Sequence, residues 1–89
     1  MRADLPGADL IDVGLRDLTE GRETVEALLV SIGAPRLREL GFDVASPMTD
    51  PEHRLYHRLS DEETDSAHSR YNALVRRLVS FERAAAWAS

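Results

Sequence analysis

The chain contains no cysteine and no lysine, and it has no long apolar run. Without cysteine, disulfides, thiolate chemistry and Cys-ligated zinc are excluded. No uninterrupted apolar stretch approaches the roughly 20 residues of a membrane-spanning helix. The opening M-R-A-D-L-P-G-A-D lacks the apolar core of a signal peptide. These absences lead us to expect a cytoplasmic protein with no membrane partner. No internal repeat or low-complexity segment is present. Because lysine is missing, all eleven basic residues are arginine. A GC-rich genome gives the same bias, so no function is read from it.

Catalytic signatures are missing too. There is no Ser-His-Asp arrangement, no glycine-rich phosphate loop and no nucleotide-binding fingerprint. The expectation is therefore no enzyme, no catalytic residue and no cofactor.

What is present fits one small domain: 89 residues, 43% of them apolar, with a net charge of −5. That acidic excess suits solubility and offers no general attraction to nucleic acid. The most regular stretch is the last. Ala67, Tyr71, Leu74, Leu78, Phe81, Ala85 and Ala88 recur at alternating steps of four and three. This spacing places one apolar seam along a helix.

After a leader over residues 1–8, the pattern is helical over residues 9–33, with Asp9 as a suitable N-cap. Ile11, Leu18, Val25 and Ile32 repeat every seven residues, and so do Gly7, Gly14 and Gly21. Glycine inside a helix costs about 1 kcal/mol relative to alanine. Gly14 and Gly21 therefore imply close approach by another element or a break near Gly21; we expect one continuous helix. Gly33 can end it in the left-handed conformation, and Pro35 cannot continue the ladder.

A short helix is expected over residues 35–40, with Leu37 and Leu40 inward alongside Phe42 and Val44. Asp50-Pro51-Glu52 is a clear start signal: a capping acid, proline at the first helical position, then another acid. It opens a short helix over residues 51–59 with Leu55, Tyr56 and Leu59 buried. Ser60 and Glu63 form a capping-box pattern, so the long last helix is expected over residues 61–88, starting between Asp61 and Ala67. No segment alternates long enough to form a paired strand.

The fold class expected is all-α, a small bundle of two long antiparallel helices with two short helical segments. Ile11, Leu18, Val25, Ile32, Leu74, Leu78 and Phe81 form the expected core. In the antiparallel register Phe81 lies over Gly14, Leu74 over Gly21 and Arg77 beside Asp17. Charge agrees with this pairing, because residues 1–32 hold seven acids against three arginines, and residues 66–89 hold four arginines against one acid.

His53 and His57, four apart, put both rings on one helix face, as a metal site needs. A third ligand would have to come from Asp50, Asp61 or His68, and no metal site is expected. His68, Asn72 and Arg76 share another face that could meet a carboxylate or phosphate. Arg70, Arg76, Arg77 and Arg83 could make a nucleic-acid-facing patch, but they are spread around the helix. The function expected is a protein–protein interaction module, self-associating or docking on a larger partner as a regulatory or accessory subunit. The alternative is a nucleic-acid-binding regulator using the Arg-rich last helix. Tyr71, Arg76 and Trp87 are the expected contact residues, since aromatic and arginine side chains dominate interface energetics. Trp87 could equally fill the end of the bundle.

Overall fold

The computed structural model describes residues 5–88, so the first four residues of the expected leader lie outside the described residues. Five helices follow in order: α1 (Ala8–Thr19), α2 (Val25–Ile32), α3 (Ala34–Glu39), α4 (Pro51–Glu62) and α5 (Ala67–Ala88). A 3-10 turn over Thr64–Ser66 joins α4 to α5. Among the described residues there is no strand, and no helix is long and apolar enough to cross a membrane. The fold is an all-α bundle.

The first helix is not continuous. It stops at Thr19, and Gly21 takes a left-handed φ of 74°. The Arg22 amide donates to the Asp17 carbonyl at 2.8 Å and the Gly21 amide to the Leu18 carbonyl at 3.1 Å. That pair of bonds is a Schellman stop, which satisfies the carbonyls left free at the end of a helix. Thr24 then starts α2, its hydroxyl accepting from the Ala27 amide at 3.1 Å and donating to Asp17 Oδ2 at 2.7 Å. Asp17 is buried and also accepts from Arg22 at 3.2 Å. One carboxylate thus ties the end of α1, the turn and the start of α2 together.

The break folds α2 back on α1. A Cβ on Gly14 would overlap the Glu26 carbonyl oxygen and the Val30 side chain. Gly14 is therefore the close-approach point of the α1–α2 hairpin, and its nearest neighbours lie on α2 and do not include Phe81. Phe81 instead meets Gly7, where a Cβ would lie 3.6 Å from Phe81 Cβ, and its ring packs at a tilt on that of Phe42 at 5.4 Å. Among the described residues nothing lies within 4 Å of a Cβ on Gly21, so Leu74 does not cover it. Arg77 pairs with Asp9 at 3.5 Å rather than with Asp17. The expected pairing of two long helices gives way to a hairpin whose outer end, at Gly7 and Gly33, meets α5.

The centre of the fold is α2. Ala27, Leu28, Leu29, Val30 and Ser31 are consecutive and all buried, so the helix is covered on every side. It touches α1, α3, α4 and α5. Val25, Ile32 and Leu74, expected in the core, are only half-buried. The turn at Gly21 resets the helical phase, so the seven-residue repeat does not run on as one stripe. Ile11, Leu18, Leu78 and Phe81 are buried as expected. Ser31 donates to the Ala27 carbonyl at 2.8 Å and accepts from the Met48 amide at 3.0 Å, which pins the 41–50 loop to α2.

The remaining boundaries also shift. Gly7, at φ 78°, precedes α1, and Asp9 sits in its first turn, where a carboxylate meets the positive end of the helix. Gly33 has φ −87°, so it is not a left-handed stop. It is needed because a Cβ there would lie 2.8 Å from a Leu78 methyl and 2.9 Å from Glu82 Oε2. Pro35 stands in the first turn of α3. Gly41 is the left-handed stop of α3, at φ 97°. Asp50 is itself left-handed and makes no side-chain cap, while Pro51 opens α4 as expected. Helix α4 runs on to Glu62, so Ser60 lies within it and no Ser60–Glu63 capping box forms. The extended Glu63 (φ −159°) ends it, and α5 begins at Ala67. Leu55 and Leu59 are fully buried, whereas Tyr56 is 39% exposed.

Candidate functional site

The last helix carries most of the side chains singled out from the sequence. Helix α5 is 22 residues long and buries Ala67, Leu78, Phe81 and Ala85. Residues four and seven apart share a helix face. Arg76, Arg83 and Trp87 therefore line up on one side, and all three are exposed. Trp87 is 91% exposed, against 37% for Val13 and 39% for Tyr56. It does not fill the end of the bundle. Neither Arg76 nor Arg83 has an ion pair among the described residues.

The outer face of α5 holds no acid. Its one carboxylate, Glu82, turns inward over Gly33. Burial raises the pKa of that carboxyl, with Arg36 pulling the other way. Arg70 is held by Glu62 at 2.8 Å and Arg77 by Asp9 at 3.5 Å. Of the four arginines on this helix, two are engaged with carboxylates on other elements and two point outward.

Tyr71 belongs to a different surface. It is half-buried, with its ring 5.7 Å from that of Tyr56 on α4, and Tyr56 also meets His68 at 6.5 Å. Burial, and then the nearby Glu52 carboxylate, raise the Tyr71 pKa. This aromatic group closes the α4–α5 hairpin and stands apart from Arg76 and Trp87. His68 and Asn72 lie 3.2 Å apart at their side-chain nitrogens. Arg76 does not join them.

The His53 and His57 rings lie nearly parallel with centroids 6.4 Å apart, and both are exposed. His57 lies 3.8 Å from Asp61, and Arg54 pairs with Glu23 at 3.0 Å beside them. Among the described residues no three His, Asp or Glu side chains converge to hold a metal ion.

A feature that sequence reasoning missed is a groove of about 600 Å³ between the α1–α2 hairpin and the α4–α5 hairpin. Leu10, Val25 and Leu74 supply its apolar lining, and Arg58, Arg70 and Arg77 its cations. Four separate elements contribute, so no local motif announces it. The half-burial of Leu10, Val25 and Leu74 has the same origin.

Comparison with known proteins finds no matching family model, no similar curated protein and no similar solved structure.

Proposed function

We propose that this chain is a protein–protein interaction module that docks on a larger, acidic partner through the outer face of α5, as a regulatory or accessory subunit. The observation that carries this reading is Trp87, 91% exposed on the same face as Arg76 and Arg83, which have no ion pair among the described residues. An indole left in water is a large unburied apolar surface, and Trp and Arg are the side chains that most often anchor interfaces. Two copies meeting across a two-fold axis through this face would bring arginines against arginines, an arrangement that costs free energy. Charge thus favours a heterologous partner with an apolar socket rimmed by carboxylates. Nucleic acid is also anionic, but a chain of net charge −5 with Arg70 and Arg77 already engaged suits it less. A cytoplasmic setting fits a chain without cysteine.

The test is affinity co-purification at low salt, run in parallel with Trp87→Ala and the double variant Arg76→Glu/Arg83→Glu, alongside light scattering of the free protein. The reading expects a monomer at all concentrations and one stoichiometric acidic protein partner. Both variants should lose that partner while keeping wild-type melting temperatures. A concentration-dependent mass abolished by Trp87→Ala would favour self-association instead. Salt-sensitive retardation of a random duplex would favour the nucleic-acid reading.

A further inference from the structure

The groove between the two hairpins faces a different side of α5 from Arg76, Arg83 and Trp87. Leu74 and Arg77 line it, and they lie roughly a third of a turn around the helix from the outer face. Its volume, about 600 Å³, falls within the range of small-molecule sites. Leu10, Val25 and Leu74 are each half-buried and present apolar surface that the fold leaves partly uncovered.

The charges around that surface balance. Arg58, Arg70 and Arg77 line the groove with Glu26 and Glu62, and Asp9 supplies the third carboxylate by pairing with Arg77 at 3.5 Å. Arg70 pairs with Glu62 at 2.8 Å. Two pairs are thus closed within the fold, and one cation and one anion are left over. Arg58 on α4 and Glu26 on α2 each have no ion pair among the described residues, and they do not pair with each other. A carboxylate ligand would engage Arg58 and leave Glu26 facing it, and an ammonium ligand would do the reverse. A ligand that carries both charges satisfies both residues and leaves the groove neutral. Since Arg58 and Glu26 do not reach each other, a spacer has to separate the ligand's charges, and Leu10, Val25 and Leu74 suit an aliphatic one. We infer that the groove binds an aliphatic zwitterion, with its carboxylate on Arg58, its ammonium on Glu26 and its hydrocarbon on Leu10, Val25 and Leu74. The hydrocarbon gains by leaving water in proportion to the apolar area it covers. The guanidinium meets the carboxylate with two parallel hydrogen bonds, and Glu26 accepts from the ammonium.

The experiment is a methyl-resolved NMR titration of the full chain with 6-aminohexanoate, hexanoate and hexylammonium, which share a hydrocarbon chain and differ in their charged ends. 6-Aminohexanoate should shift the Leu10, Val25 and Leu74 methyls saturably. Each singly charged analogue should bind at least about fivefold more weakly, as loss of one charge-assisted hydrogen bond predicts. Arg58→Gln should weaken 6-aminohexanoate and hexanoate by about fivefold without weakening hexylammonium. Glu26→Gln should weaken 6-aminohexanoate and hexylammonium by about fivefold without weakening hexanoate. The two variants fail in opposite directions, which a merely loosened fold would not do. An analogue that binds as tightly as 6-aminohexanoate, the absence of saturable shifts at the groove methyls, or either variant binding 6-aminohexanoate as well as wild type would each overturn the assignment. Arg58 is exposed, so the Arg58→Gln result stands by itself should Glu26→Gln fail to fold. None of these readouts involves Trp87, so success or failure here is independent of the proposed docking face.

Discussion

Helices α2 and α5 satisfy their apolar side chains in opposite ways. Helix α2 has eight residues, five of them consecutive and buried, and other helices cover it on all sides. Helix α5 has 22 residues and buries four, leaving one whole face to solvent. Short helices are marginal by themselves, so α2 exists because it is enclosed, not because its sequence propagates a helix. The longer helix is the more regular in sequence but the less central in the structure. Length and periodicity mark where a helix is; enclosure on every side decides which one the fold is built around.

That contrast can be broken most directly at Leu28, which is fully buried in α2. Leu28→Ala should cost about 2–5 kcal/mol, since a cavity at the centre has helices on all sides that cannot collapse together. Chemical denaturation reads this loss, and a change below about 1 kcal/mol would remove α2 from the centre. Next in size is Gly14→Leu. The side chain would press on the Glu26 backbone and Val30, with an overpacking cost of about 1–3 kcal/mol. Equal stability would mean that α1 and α2 do not cross there.

Gly21→Ala tests the turn that separates the two helices. Among the described residues nothing lies within 4 Å of a Cβ there, so the cost is conformational, about 1 kcal/mol for a left-handed alanine. A rise in stability would instead signal a continuous helix, where alanine is favoured.

The smallest effect concerns Glu82, where α5 meets the end of α2. Its pKa is raised chiefly by burial, so the folded state holds this proton more tightly than the unfolded chain does. Its contribution is therefore fully present below the ordinary glutamate pKa of about 4.3 and is lost as pH rises through the raised value. Glu82→Gln should flatten the stability curve across that window and slightly raise the melting temperature at neutral pH. Solvent screening keeps the gain small. A fall at neutral pH would show that attraction to Arg36 outweighs burial.

Much of this architecture can be read in the residues. Pro51 announces α4, the i, i+4 pair Leu55 and Leu59 is its buried side, and the four–three spacing around Leu78 and Phe81 marks the inward face of α5. The break at Gly21 could not be read from periodicity, because Ile11, Leu18, Val25 and Ile32 keep step across it by coincidence. The local signal was Glu20-Gly21 followed by Thr24, a left-handed stop and then a cap, but glycine is equally compatible with a tight helix crossing. Gly14 does serve a crossing, with α2 in place of α5. Of the expected contact residues, Trp87 and Arg76 stand exposed on one face, whereas Tyr71 is drawn into the α4–α5 hairpin by Tyr56. The groove depends on how four elements meet, and no single stretch encodes that.

The outer face of α5 is free because the first two helices fold on each other instead of lying along the last. The most direct measurement is a set of nuclear Overhauser contacts from the Gly14 α-protons. The account predicts contacts to the Val30 methyls and none to the Phe81 ring, whose neighbours are Gly7 and Phe42. Contacts from Gly14 to Phe81, with unbroken helical amide contacts through residues 20–24, would contradict it.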